Sequence, residues 1–239
     1  MPTLVGLAYS PWTQKARWAL THHGVPHDFE SYVPTLGEPK LRLRLRRPVG
    51  KVSVPVWFGD DGGVLDDSWD IARHAEQVGS GSALFEDEAA VARWNALSDE
   101  ALGAGRAKAV RATLEDRDAQ VDALKGIVPD PLRRPLRPVA VVAAKQLLRK
   151  YGAPPRSALE DALEKLREGL GDGEHLVGGR FGYADMAMAV VLEFVAPGAH
   201  VRRSETERRV WGDARLAKRF ADLVAWRDRL IAAHPVRPG

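Results

Sequence analysis

The sequence predicts an α/β domain over residues 1–80 followed by an all-helical domain over residues 86–239. Three observations carry this. Strand-like apolar segments alternate with helical periodicity only in the first 80 residues. The run Gly79-Ser80-Gly81-Ser82 then breaks the pattern and marks a linker near residues 79–86. Beyond it no convincing strand recurs, and apolar residues return at helical spacing.

Taken in order, Thr3–Tyr9 reads as a short apolar strand. Residues 11–23 place Trp12, Ala16, Ala19 and Leu20 on one helical face, and Gly24 supplies the stop. Residues 27–33 alternate as a strand does. Residues 38–47 stay ambiguous: Leu41, Leu43 and Leu45 repeat every second position, yet the composition suits a short irregular helix. Residues 52–58 form a strand carrying Pro55, the run GDDGG is a turn, and residues 63–65 are a brief strand. Asp66–Val78 then reads as a helix with Ser68 at its cap and Ile71, Ala72 and Ala75 facing inward. The predicted order is β-α-β-α-β-β-α.

In the second part, Val91, Trp94, Leu97 and Ala101 mark a helix over residues 86–106. Four prolines make residues 129–138 a loop, and residues 139–150 are helical. Ser157 and Glu160 form a capping-box pattern ahead of Leu159, Leu163, Leu166 and Leu170. Residues 184–195 are apolar nearly all round, the mark of a central buried helix. Residues 213–232 put Leu216, Phe220, Leu223, Val224 and Ile231 on one side.

Composition narrows the chemistry. Hydrophobic residues are 45% and charged residues 28%, as in an ordinary globular protein. There is no cysteine, which excludes disulfides, thiolate metal sites and a protein-borne redox thiol. The N-terminus lacks the basic and apolar regions of a signal peptide, and no apolar run approaches the roughly 18 residues of a membrane span, so the expected location is the cytoplasm. Formal charge is only +3. The basic clusters at Arg42–Arg47, Arg133–Arg137 and Arg202–Arg209 are each interrupted, so they read as solvated helix faces and not as a nucleic-acid surface.

Three features attract a functional reading. Ser10-Pro11 stands where an apolar strand gives way to a helix. The hydroxyl caps that helix, or it holds an anion at the positive end of the helix dipole. Pro55 interrupts a strand, where it cannot donate to the ladder. A plain edge strand explains it; so does a cis bond that exposes the Val54 backbone to a ligand. Asp67-Ser68 opens a helix, either as a cap or as an anchor for a carboxylate through its free hydroxyl and amide.

Together these motifs resemble the cytosolic glutathione transferase family over nearly the whole chain. The run SPWTQKARWAL is similar to the first-helix motif of serine-type members, nearest to omega- and zeta-like bacterial ones, with Ser10 in the catalytic place. VGKVSVPV resembles the family's glycine-lysine-valine-proline stretch with two extra residues. DDSWDIARHAE resembles its acid-serine motif with Asp67 as the acid. GGRFGYADMAMA is similar to the folding signature of its helical domain, with Gly182 where Ser or Thr is usual and Asp185 three residues on.

The resemblance implies a thioredoxin-like first domain that binds glutathione and a helical domain that supplies a hydrophobic substrate pocket. It implies activation of the glutathione thiolate for attack on a hydrophobic electrophile, by conjugation, isomerisation or peroxide reduction. Thiol transfer through a mixed disulfide is excluded by the lack of cysteine. Ser10 is the expected thiolate donor, with Thr13 and Tyr9 as alternatives, and Trp12 either lines the pocket or simply packs. Val54 and Pro55, joined by an expected cis bond, would pair with the cysteinyl backbone of glutathione. Ser68 would hold the γ-glutamyl carboxylate and Asp67 the amino group. Lys40 and Lys51 are candidates for the glycine carboxylate. No metal, nucleic-acid or membrane partner is implied; a homodimer is. The alternative is a non-catalytic binding protein of the same fold. His22, His23 and His74 lack the spacing of metal ligands. Glu193, a lone acid in an apolar helix, either reaches a buried donor or faces the substrate pocket.

Overall fold

A computed structural model of the protein describes residues 1–34, 36–152, 154–155 and 157–236. Its first part is a four-stranded sheet in the order β2-β1-β3-β4. Strand β1 (Thr3–Gly6) runs parallel to β2 (Asp28–Ser31) and antiparallel to β3 (Val56–Phe58), which in turn pairs antiparallel with β4 (Val64–Leu65). Side chains alternate across a strand, so neighbours in sequence serve opposite faces. Leu4 and Trp57 join one core with Ala16 and Leu20 of α1 (Pro11–His22) and Ile71, Ala72 and Ala75 of α3 (Ser68–Val78). Val5 and Val56 face the other way and join Leu41 of α2 (Glu38–Leu45). The ambiguous segment is therefore a helix: Leu41 is buried, while Leu43 is 80% exposed and carries none of the packing.

The second part is built on α4 (Glu88–Glu115), which is longer than its apolar periodicity suggested. It packs against α7 (Arg137–Tyr151), α8 (Ser157–Leu170), α9 (Tyr183–Ala189) and α10 (Glu205–Trp211). Close approach along α4 depends on small residues. A Cβ on Gly105 would fall 2.3 Å from the ring of Phe194. All seven residues of α9 are buried, and a 3₁₀ turn over Val190–Phe194 extends it, which accounts for the apolar run over 184–195. The helix starts as expected despite Gly182. Asp185 accepts the Gly182 amide at 2.9 Å, which is the acidic half of a capping box, and the glycine leaves the other half empty.

Several local expectations fail for physical reasons. The cap of α3 is Asp67, whose carboxylate accepts from the Trp69 amide at 2.7 Å, and Ser68 is the first residue inside the helix. Ser157 is likewise the first helical residue of α8, and Glu160 is drawn away to Arg215 at 2.5 Å. The proline-rich stretch holds a one-turn helix, α6 (Asp130–Arg133), because Pro131 fits a first turn. Residues 213–232 break at Phe220 into α11 (Ala214–Arg219) and α12 (Ala221–Ala233). Helices α5 (Arg117–Asp122) and α10 are too short and too polar to show a period. No helix among the described residues is long and apolar enough to cross a membrane.

Candidate functional site

The register of the sheet brings the singled-out motifs to one end. Val5 faces Val56 across β1 and β3, so Gly6 comes opposite Pro55. Trp57 faces Leu65 across β3 and β4, so continuing that line brings Asp67 alongside Pro55. The Val54-Pro55 peptide is cis, as expected, and Val54 stands just outside the ladder. The chain leaves β1 at this end and enters α1 through Leu7–Ser10. The two helix N-termini, of α1 and α3, thus open beside the cis-proline, and α1 and α3 pack side by side.

Ser10 is the N-cap of α1 in extended backbone conformation, only 9% exposed, yet its hydroxyl makes no capping bond. Its backbone does the anchoring: the Ser10 amide donates to the Leu7 carbonyl and the Ser10 carbonyl accepts from the Gln14 amide, both at 2.9 Å. Thr13 is fully buried, and its hydroxyl accepts from the Leu7 amide at 3.3 Å. A Cβ on Gly6 would meet the Thr13 methyl at 2.6 Å, so Thr13 clamps the turn between β1 and α1. Tyr9 turns into the helical part, where its ring meets Trp211 edge-on at 5.9 Å. Burial pushes its phenol up to about 12, with Glu207 adding and Arg203 opposing. The Tyr9 carbonyl accepts from Gln14 Nε2 at 3.2 Å and Arg203 Nη2 at 3.0 Å, which pins the residue preceding Ser10.

Trp12 is bound to the helical part. Its indole N–H donates to Asp99 Oδ1 on α4 at 2.9 Å, and the Arg106 guanidinium lies 4.8 Å from its ring. The same Asp99 oxygen takes the Lys15 ammonium at 2.8 Å, and Asn95 accepts from Lys15 at 2.9 Å. Lys15 is fully buried.

At the start of α3, Ser68 is 3% exposed. Three acids surround it: Asp66, paired with Arg47, Asp67 and Asp70. Burial raises the Asp70 carboxyl above the usual range, and Asp67 and Asp66 add to the shift. Such a cluster gains from a nearby ammonium. Tyr183, unforeseen from sequence, is fully buried with its hydroxyl facing Ser68 without completing a hydrogen bond. Its ring stacks on Phe85 at 4.9 Å and meets Trp69 edge-on at 5.5 Å. Only its place beside the Asp185 cap marked it in the sequence.

The remaining candidates disperse. Lys40 is paired with Glu30 at 2.7 Å, whereas Lys51 lies 4.5 Å from the Tyr151 ring. His22 and His23 meet edge to face at 4.9 Å, and His74 lies against Trp57. Glu193 is fully buried among donors: it pairs with Arg203, accepts the Gly198 amide at 3.1 Å and lies 3.5 Å from Arg227. Its structural reading holds, and it does not line a substrate pocket.

A family model described as "Glutathione S-transferase, N-terminal domain" matches residues 9–78, and one described as "Glutathione S-transferase, C-terminal domain" matches residues 156–229. The chain belongs to the glutathione S-transferase family. Solved glutathione S-transferases share the fold of this family member. That of Methylobacterium radiotolerans, in complex with glutathione sulfonate, is 23% identical with a TM-score of 0.58, covering 100% of this chain and 95% of that one. That of Methylobacillus flagellatus, with glutathione bound, is 20% identical with a TM-score of 0.55, covering 95% and 98%. That of Pseudomonas fluorescens is 17% identical with a TM-score of 0.62, covering 100% and 98%. No curated protein matches the chain significantly. The family models leave residues 79–155 of this family member unmatched, and that span carries Asp99, Arg106, Lys150 and Tyr151.

Proposed function

We propose that the chain is a serine-type glutathione transferase, in which residues 1–80 bind glutathione and the helical part over residues 86–239 receives an electrophile. One observation carries the reading: Ser10 sits at a buried helix start with its hydroxyl not spent on capping, at the sheet end shared by the cis Val54-Pro55 peptide and the Asp67-Ser68 helix start. A free thiol has a pKa of about 8.5, which falls at a helix N-terminus. Ser10 donates to the glutathione sulfur there, and the dipole of α1 adds to the stabilisation. The thiolate is the nucleophile, so the chain needs no cysteine of its own.

In this reading Val54 pairs with the cysteinyl backbone of glutathione in strand fashion. Ser68 takes the γ-glutamyl carboxylate, and the acids around Asp67 take its ammonium. Thr13 and Tyr9 are weaker donors: the first has no exposed surface and holds the Leu7 amide in the turn before α1, and the second is directed at Trp211. Immobilised glutathione should retain the protein. The protein should also accelerate the reaction of glutathione with 1-chloro-2,4-dinitrobenzene. Retention without acceleration would favour a binding protein, and failure of both would end the reading.

A further inference from the structure

Arg106 has charge to spare beside this site. Its guanidinium lies against two aromatic rings, 4.8 Å from the Trp12 centroid and 4.1 Å from that of Tyr151 at the end of α7. It is half-buried, and no carboxylate or carbonyl among the described residues pairs with it. The buried arginines nearby are treated otherwise: Arg203 and Arg227 both face Glu193 and both donate to a carbonyl. Burial depresses the Arg106 pKa, as expected for a cation that has lost water without gaining an anion.

Two further cations converge on the same ring. The Lys51 ammonium lies 4.5 Å from Tyr151 and that of Lys150 lies 5.5 Å away. Lys150 is already committed to Glu38 at 3.1 Å and to the Val52 carbonyl at 2.8 Å. Lys51 is exposed and remains for the glycine end of glutathione. That leaves Arg106 on α4, set against the Trp12 ring in the first turn of α1 and against Tyr151, with its fork unoccupied. A fork so held matches a carboxylate bidentately, and the aromatic rings beside it suit an aromatic ligand.

The geometry points to Arg106 as the specificity-determining residue for the second substrate, an aromatic electrophile that carries a carboxylate. This rests on the transferase reading and names the chemical class of its electrophile. Trp12 and Tyr151 take the ring, Arg106 takes the carboxylate, and the reactive carbon is left toward Ser10. With a chlorinated nitrobenzoate the glutathione sulfur forms the new C–S bond and chloride leaves with the C–Cl electron pair.

The test compares 4-chloro-3,5-dinitrobenzoate with its methyl ester, each corrected for its uncatalysed rate with glutathione. Wild type should favour the anion over the ester by tenfold or more in kcat/KM, mostly through KM. Arg106→Gln should lower that ratio at least tenfold, and Arg106→Lys should recover part of it. Calorimetry with the unreactive 3,5-dinitrobenzoate, in the presence of glutathione sulfonate, reads the same preference without turnover. Absence of turnover with a retained, Arg106-dependent preference in binding would therefore sink the transferase reading alone. A wild-type preference for the ester overturns the inference and needs no variant. So does an equal loss on both substrates in Arg106→Gln, which marks a structural role. So does weakened glutathione binding with an unchanged ratio, which would place Arg106 on glutathione itself.

Discussion

The ammonium of Lys15, a side chain with no exposed surface, lies 2.8 Å from the Asp99 carboxylate, and the two residues come from different parts of the chain, α1 and α4. Removing one member of a buried pair costs about 3–5 kcal/mol, because the other charge is left uncompensated. Asp99 is 42% exposed on its side chain and Asn95 still accepts from Lys15. Asp99→Ala should therefore fall at the lower end, about 3 kcal/mol. Lys15→Met removes the buried charge itself and should cost less than Asp99→Ala. Urea unfolding of both variants checks the order, and the reverse order would show that the pair is not what Lys15 depends on.

Ser10→Ala separates capping from catalysis. Loss of a true N-cap costs about 0.5–2 kcal/mol. Since the Ser10 hydroxyl caps nothing, the stability change should stay below that range. The turnover rate should fall tenfold or more, about 1.4 kcal/mol in barrier, and the pKa of bound glutathione should rise. Tyr9→Phe should leave that pKa in place, since the phenol is directed at Trp211. Ultraviolet titration of bound thiolate, beside thermal melts, measures all three.

Ser68→Ala should weaken glutathione binding by about 1–3 kcal/mol, the range for a hydrogen bond to a charged group. The helix itself should persist, because its cap is Asp67. Isothermal calorimetry on the folded variant decides it, and unchanged affinity would remove Ser68 from the site.

Gly105→Ala sets two opposing effects against each other. Alanine improves a helix by about 1 kcal/mol over glycine. Here its methyl would lie 2.3 Å from the Phe194 ring, which is itself stacked on Trp211 at 4.5 Å and cannot retreat. Overpacking costs about 1–3 kcal/mol and more in tight sites. The net change should be destabilising by about 1–2 kcal/mol. A raised melting temperature would show that Phe194 yields.

His23 makes stability fall on acidification. It is 1% exposed, neither ring nitrogen has a partner, and burial, with His22 beside it, brings its pKa down to about 4. An unfolded histidine titrates near 6.5. Between these values the unfolded chain binds the extra proton, so stability rises with pH there. The contribution is complete above about 6.5 and declines as pH falls toward 4. His23→Leu should flatten, without abolishing, the dependence of urea unfolding on pH in that window, since burial also lowers His200 and His234.

Much of this was legible in the sequence where a residue's neighbours in the chain decide its fate. The order of elements along the first 80 residues, the cis bond at Pro55 and Asp185 follow from local patterns, and each lies where the pattern put it, while the cap of α3 falls one residue earlier, on Asp67. Lys15 was not legible. A lysine in an amphipathic helix reads as solvated, and only a partner 84 residues away makes its burial tolerable. Arg106 and Tyr151 escaped for the same reason: each is ordinary in its own helix, and they matter because α4 and α7 bring them together. Tyr183 stands just ahead of the apolar run over 184–195, and nothing in its neighbours along the chain foretells that its hydroxyl is buried facing Ser68.

One apolar cluster holds Leu4, Trp18 and Ile71 together with Leu102, Tyr183, Phe194 and Trp226. The two halves named by the family models therefore share the main core, and only the small cluster around Val5, Leu41 and Val56 belongs to the α/β half alone. Heating should melt the molecule in a single cooperative step. For the history of such chains the consequence is that the helical half is not an exchangeable cassette. A recombinant carrying this α/β half with a foreign helical half would inherit an open apolar face and a bare ammonium at Lys15. Divergence of substrate choice would then proceed by point changes on the walls of the site, residue by residue, and not by shuffling of whole halves.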